Sequence, residues 1–492
     1  MIFNTSFFPI DNLSRFMLIL VAVLLPLGYL YSFAYIKRHH FRYYFILILA
    51  SISLVGIFVS RDLLSFYIFL EMMTVGVYFL IIDNTKKESY AAGFKYILMM
   101  FTGGLFILVA ALMLYNLTGS FELAVIAKAA PYLPAATVQF IFGIFVIGCL
   151  FEIGAVPFHI WLPDAHPIAP SPISALLSGL MIKTGAYGII RLSMTLNTNN
   201  SALIIIGATS MLFGVTLALR QTNIKRLLAY SSISQMGYVS LGIGLGTGLG
   251  LGGALFHLLN HATFKSLLFL CLGAVIFRTR ERELNKLGGL AKSMPFTALA
   301  FIIGALAITG IPPFNGFASK TVFTEAVSNN IWLKTILVIT AAGTIATFLK
   351  LFLHVFAGKL PVKLKKTKEA PFLMILPMLI VATLCLLIGL FPNYVLNTLV
   401  NPAILTGFSI QFFSLKSLTD SGTIILLGTG LYIVGRRIGF LSIEPERRKE
   451  SLLSWISLDK IVCGLAVLLE AFCLRLRKLI ARSLNTYLLW IY

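Results

Sequence analysis

The chain has 492 residues, of which 58% are hydrophobic and only 12% charged, and its mean hydropathy is +0.93. A soluble protein of this length needs more polar surface than that, so the composition excludes a soluble globular fold and predicts a polytopic membrane protein. The formal net charge of +21 does not signal a nucleic-acid partner, because the Lys and Arg fall in short loops between apolar runs and form no single basic face.

The start, MIFNTSFFPIDNLSRF, lacks the basic region of a secretory signal, so the first hydrophobic segment is expected to be retained. With ~20 apolar residues per span, helices are expected near 14–36, 41–60, 62–82, 93–115, 136–157, 172–194, 202–220, 231–248, 250–277, 295–328, 331–357, 371–391 and 421–436. The expectation is an all-α bundle of about thirteen spans. Beyond it, 443–450 (IEPERRKE) reads as a solvated charge run, and 459–492 as a peripheral helix on the membrane surface or a further span. Cys149, Cys271, Cys385, Cys463 and Cys473 lie in hydrophobic segments without CxxC spacing, which argues for buried thiols and against zinc or an iron–sulfur cluster.

If the N-terminus is outside, every second loop is cytoplasmic. Those loops, including the ones holding Lys37, Lys86, Lys225, Lys286, Lys366 and Arg447, carry about 23 basic residues against about 5 in the others, represented by Arg61, Lys128 and Arg191. The bias predicts an N-out, C-in chain.

Two spans are interrupted, at Val156-Pro157-Phe158-His159 and at Ile311-Pro312-Pro313-Phe314-Asn315-Gly316. Irregular backbone at membrane depth survives only inside protein or along a hydrated cavity, so each break marks a path. The expected units are an N-terminal helix in 1–40, two five-helix halves at 41–194 and 202–357, C-terminal spans at 371–436 and a tail at 437–492. An odd number of helices per half turns the second half upside down, giving an inverted repeat with its sites at the broken helices.

Among the ionisable side chains inside these stretches, seven are the candidates: Glu71, Glu152, Lys183, His257, His261, Lys265 and Lys320. A charge at mid-span costs about 2.5–3.5 kcal/mol even on the lenient insertion scale, so these groups must pair, neutralise or line water. Such a row is what a proton or cation path requires. Glu71, mid-segment in LLSFYIFLEMMTVGVYFLII, reads as half of a structural ion pair or as a functional group. Lys183 lies too deep in its span to snorkel, which suits an amine that loads and releases a proton repeatedly. His257, His261 and Lys265 follow at i, i+4 and i+8, on one helix face over about 12 Å of rise. They read as a wire or as a packed, hydrogen-bonded His pair. Haem needs an opposed histidine, and zinc needs further ligands, neither of which the sequence supplies. Lys320 reads as the cap of a half-helix or, mirrored about its break relative to Glu152, as that residue's functional counterpart.

The segments DNLSRF (11–16), LEMMTVGVYFLI (70–81), VPFHIWLPDAHPIAPSPISALLSGLMIKTGAYGIIR (156–191), QTNIKRLLAYSSISQMGYV (221–239), LFHLLNHATFKSLLFL (255–270) and GIPPFNGFASK (310–320) carry a family likeness in the family's order. Together they resemble the antiporter-like membrane subunits of respiratory complex I, energy-converting membrane-bound hydrogenases and multi-subunit sodium/proton antiporters. The resemblance implies that Glu71 is the coupling glutamate, Lys183 the central proton-carrying lysine, His257, His261 and Lys265 the histidine-linked axis, and Lys320 the group that gates exit. Two departures stand out. Relatives place at Glu152 a lysine that pairs with the glutamate at Glu71, and they have two helices upstream of Asp11, which another subunit is expected to supply.

The expected function is therefore proton or sodium translocation by a subunit of a complex I-like oxidoreductase, hydrogenase or antiporter in a prokaryotic cytoplasmic membrane. No cofactor, metal or redox chemistry of its own is expected, and its partners are other membrane subunits, lipid and the transported ion, with no nucleic acid. The alternatives are a redox subunit that binds quinone or haem, and a scaffold that no longer conducts.

Overall fold

A computed structural model describes residues 10–37, 40–82, 87–405, 407–438 and 441. The charge run at 443–450 and the segment 459–492 lie outside the described residues. In chain order the helices are α1 Asn12–Tyr35, α2 His40–Val59, α3 Leu63–Ile81, α4 Lys87–Thr118, α5 Leu123–Ala129, α6 Ala135–Ile153, α7 Leu162–Ile168, α8 Ser171–Leu176, α9 Lys183–Leu196, α10 Ala202–Arg220, α11 Ile224–Gly244 and α12 Gly248–Thr279. They continue with α13 Pro295–Thr309, α14 Asn315–Ala326, α15 Ile331–Val355, α16 Phe372–Leu390, α17 Pro392–Val395, α18 Asn401–Ile404 and α19 Leu415–Arg437.

Among the described residues, eleven helices are long and apolar enough to cross a membrane, α8 and α9 counting as one continuous span, Ser171–Leu196. The chain is a multi-pass, all-α membrane protein. Two expected spans fall outside those eleven. The span expected at 231–248 is the 21-residue α11, which begins earlier, at Ile224, and carries Lys225, Arg226, four serines and Gln235. Asn223 caps it, its side chain accepting from the Lys225 and Arg226 amides, so two basic residues read as loop belong to the first helical turn. The span expected at 295–328 is divided into α13 and α14, of 15 and 12 residues. The expected helix 136–157 likewise stops at Ile153. Both helices stop because the next residue, Gly154 or Gly310, adopts the left-handed conformation, with φ of 68° and 81°.

Burial is uneven, and it decides where charge can go. Span Ser171–Leu196 is fully buried within its apolar window and α12 is 83% buried, whereas α2 and α3 are each 44% buried. α12 touches α1, α8, α11, α13, α14 and α16. Lys183, His257, His261 and Lys265 thus stand on the two innermost spans, away from lipid.

At the start of α1, Asp11 accepts from the Ser14 amide at 2.8 Å and from both terminal nitrogens of Arg191 on α9. Arg191 also donates to Ser14 Oγ and the Tyr187 hydroxyl, and Tyr187 donates to Phe58 O at 3.1 Å, so one guanidinium ties α1, α9 and α2. Burial raises the Asp11 carboxyl, but the bonds and charge of Arg191 and the Ser14 bonds outweigh it and hold the group below its ordinary 3.8. A carboxylate depressed on folding contributes stability above its unfolded pKa and loses it as pH falls through the lower folded value. Asp11→Asn should therefore lower thermal stability in detergent at pH 7 by up to about 1 kcal/mol. Melting curves of variant and wild type should converge as the pH is taken below about 4.

Candidate functional site

The site is built from amines that lack carboxylate partners. Lys183 is 1% exposed and opens α9 immediately after a π-helical turn at Leu177–Met181. In that turn the Ile182 amide reaches back five residues to Leu177 O, and Ser178 O accepts from Lys183 Nζ. The same Nζ lies 2.7 Å from His261 Nδ1 on α12. One turn away, His257 Nδ1 is 3.0 Å from Ser319 Oγ on α14 and its Nε2 is 3.1 Å from Gln235 Oε1 on α11. The two imidazole centroids are 6.4 Å apart.

Lys265 turns to α11, donating to Leu228 O at 2.8 Å and to Ser231 Oγ. Leu228 O also accepts from Ser232 Oγ, which meets Ser178 Oγ at 2.9 Å. Lys320, on α14, donates to Ile308 O and Thr309 O at 2.9 Å each, which caps the end of α13 across the break. It lies 5.9 Å from the Tyr238 ring, itself 5.2 Å from the His257 ring. Lys320 also lines a cavity of about 400 Å³ with Thr324, Glu325, Gln411 and Asp420.

A common rule places four of the buried amines, Lys183, Lys225, Lys320 and Lys350. Ile308 and Thr309 end α13, and Leu219 and Gln221, the acceptors of buried Lys350, end α10. Ala169, which accepts from buried Lys225 at 2.6 Å, caps α7, and Ser178 lies in the π-turn. Carbonyls at helix ends lack an intrahelical donor and sit at the negative pole of the helix, so they attract a cation without a fixed counter-charge. Among the described residues, none of Lys183, Lys225, Lys265, Lys320 or Lys350 is within ion-pair distance of a carboxylate. Amines held in this way exchange protons more readily than amines in a closed ion pair.

The two carboxylates stand on the flank. Glu152 is 4% exposed near the end of α6, and Glu71 is half-buried on α3; they are near enough for their charges to interact. α4 runs between their helices: Gly103 faces Gly148 and Phe151 of α6, while a Cβ on Gly104 would fall 1.7 Å from Glu71 Oε1. Gly104 is therefore the residue that leaves room for the Glu71 carboxylate. Glu71 also opens onto an apolar groove of about 1040 Å³ lined by Phe41, Arg42, Phe45, Tyr67, Met72 and Phe101.

Sequence reasoning assigned Lys225 to a basic loop. The structure buries it in the first turn of α11, with Nζ on Ala169 O and Ser174 Oγ, and the signal that would have found it is Asn223, an N-cap residue directly before Ile-Lys-Arg. Gln235, Ser178 and Ser232 were missed because their roles depend on cross-helix neighbours that no spacing along one helix reports, whereas Lys350, an ionisable residue in the apolar run of 331–357, carries the same signal as Lys183.

Residues 60–349 match the family described as NADH:quinone oxidoreductase/Mrp antiporter, TM. The chain belongs to this family. Hydrogenase-4 component B of Escherichia coli K12 is 34% identical over 419 residues, covering 78% of this chain and 62% of that protein. A Na(+)/H(+) antiporter subunit A1 of Staphylococcus epidermidis is 30% identical over 449 residues, covering 82% and 55%. The chain thus spans between half and two thirds of these relatives. Among solved structures, the Mrp complex from Dietzia sp. DQ12-45-1b superposes with a TM-score of 0.81 at 27% identity, over 93% of this chain and 52% of that one. The membrane-bound sulfane sulfur reductase, an archaeal respiratory membrane complex, gives 0.73 at 26% identity, over 86% and 84%.

The difference between the two carboxylates is open to a chemical test on this family member. A hydrophobic carbodiimide, which reacts with protonated carboxyls from the lipid phase, should modify Glu71 in the isolated chain and leave Glu152 unmodified. Peptide mass spectrometry after labelling checks this.

Proposed function

We propose that this chain is the ion-translocating subunit, for protons and/or sodium, of a multi-subunit oxidoreductase, hydrogenase or cation/proton antiporter complex in a prokaryotic cytoplasmic membrane. The observation that carries the reading is the 2.7 Å contact between Lys183 Nζ and His261 Nδ1, at the centre of a buried line of amines and imidazoles. A neutral amine facing an imidazole can take a proton from it and return it, and the Ser178 carbonyl steadies the ammonium form of Lys183. From His261 the line continues through His257 and Tyr238 to Lys320 and its cavity; Lys265 forms a branch through the α11 hydroxyls. Moving one charge against 100 mV costs about 2.3 kcal/mol. The chain's own residues supply no reaction to drive that, so the energy comes from partner subunits or from a second ion gradient.

The proposal includes two inverted five-helix halves, 41–194 and 202–357. Several features support them. The third helix of each half, α4 or α12, has 32 residues. Each half links its second and third helices through one backbone bridge, Asp62 with Glu122 and Asn223 with Glu283, at matching intervals. Each also has a helix that ends at a left-handed glycine, Gly154 or Gly310. The basic loops support an outside N-terminus, a cytoplasmic Arg437 and a cytoplasmic end for α4 and α11 where they begin. In this reading the groove beside Glu71 and the outer face of α1 meet neighbouring subunits.

The decisive experiment is ion transport in membrane vesicles containing the assembled complex. Lys183→Ala should reduce transport to background while native gels show normal assembly; transport at the wild-type rate would refute the reading. Glu152 provides a second expectation. Two carboxylates, one buried and one half-buried, whose charges interact across α4 do not both ionise cheaply, so one of them keeps its proton. Glu152→Gln, which mimics the protonated form, should retain partial transport with a displaced pH optimum, whereas Glu152→Lys should restore a pair of opposite charge with Glu71. The pH profiles of both variants decide this.

A further inference from the structure

His166, which the path described above does not use, lies between that path and a half-exposed ionic cluster. On α7, two residues before it, Asp164 accepts from Lys95 of α4 at 2.7 Å and meets Arg226 of α11 at 3.3 Å. The Asp164 and Arg226 side chains are 29% and 33% exposed, so solvent reaches this cluster. His166 itself is 0% exposed, and neither ring nitrogen has a hydrogen-bond partner in the protein. Its ring stacks on Phe269 with centroids 4.6 Å apart, and Phe269 stands one turn beyond Lys265 on α12. A buried imidazole held by stacking alone keeps both nitrogens available, which an imidazole serving a structural hydrogen bond does not.

Buried amines surround it. His166 O accepts from Ser174 Oγ at 3.1 Å, and the same hydroxyl meets Lys225 Nζ at 3.2 Å. Lys225, Lys265 and Lys183 are all close enough to act on the ring electrostatically. Arg282 donates to Pro167 O at 2.8 Å at the same turn.

We infer that His166 is the proton-loading residue of the path, passing protons between the Asp164 cluster and the amines of Lys225, Lys265 and Lys183. This assignment rests on the ion-translocating reading. In the step, a proton arriving from the solvent side forms an N–H bond on one ring nitrogen, and the N–H bond on the other breaks as that proton passes to a neutral amine. The imidazole is neutral before and after, and the amine becomes an ammonium held by main-chain carbonyls. Asp164, Lys95 and Arg226 act as positioning residues that fix α7 at the solvent edge.

The test uses membrane vesicles carrying the assembled complex and an imposed pH gradient. His166→Gln keeps a polar side chain that does not titrate, and His166→Phe keeps the stack on Phe269. Both should assemble and lose proton-coupled transport by about a hundredfold, and the residual activity should lose the wild-type pH dependence. Wild-type rates with an unchanged pH profile in either assembled variant would overturn the assignment, as would failure of both variants to assemble, which would make His166 structural. Lys183→Ala in parallel separates the two ideas. If it abolishes transport while the His166 variants conduct, only the loading role falls; if it conducts as well, the translocation reading itself fails.

Discussion

The arrangement depends on how a low-dielectric interior accommodates an amine without a counter-ion. A lysine closed into an ion pair would be stable but would not exchange its proton, and one with no polar partner would be too costly to bury charged. This protein places four of its inner lysines on backbone carbonyls at helix ends or in a π-turn, and Lys265 on Leu228 O and Ser231 Oγ of α11. Lys320 takes the end of α13, Lys350 the end of α10, Lys225 the cap of α7, and Lys183 a carbonyl in a π-turn. The break after α13, the ends of α7 and α10 and the π-turn are thus part of the binding chemistry, because each supplies the acceptor that a lysine occupies.

The same constraint explains where these residues stand. Span Ser171–Leu196 and α12 are the most enclosed of the apolar helices, and they carry Lys183, His257, His261 and Lys265. α11 joins them with a composition too polar for lipid, supplying Gln235, Ser231, Ser232 and Leu228 O as partners. Its polarity is tolerable because all but two of its residues are buried in protein. The carboxylates belong to the flank, where α4 separates Glu71 from Glu152 and a glycine on α4 makes the space that Glu71 fills. That separation makes the Glu71–Glu152 pair a long-range electrostatic coupling across a helix.

Sequence pattern alone was enough to establish the membrane class, most helices, both breaks and the family, since hydrophobic length, proline and glycine punctuation and motif order are local properties of the chain. It also picked out Glu71, Glu152, Lys183, His257, His261, Lys265 and Lys320, because an ionisable residue in an apolar run is conspicuous without any structure. It misplaced the start of α11, where Lys225 and Arg226 resemble loop residues by composition, although the two adjacent side chains diverge, one buried against Ala169 and the other reaching Asp164.

Tertiary structure alone decided which groups meet. Spacing put His257, His261 and Lys265 on one helix face, but the partner brought to His261 is Lys183, from a helix 78 residues earlier, while Lys265 bonds to α11. Spacing also could not foresee that the ends of α7 and α10 would supply carbonyls to lysines on other helices, or that His166 would be buried with both nitrogens free of protein partners. The physical reason is one of range. Hydropathy and helix caps act within a few residues, so the sequence displays them directly. The hydrogen bonds of a proton path join residues on different helices, and their partners are set by packing.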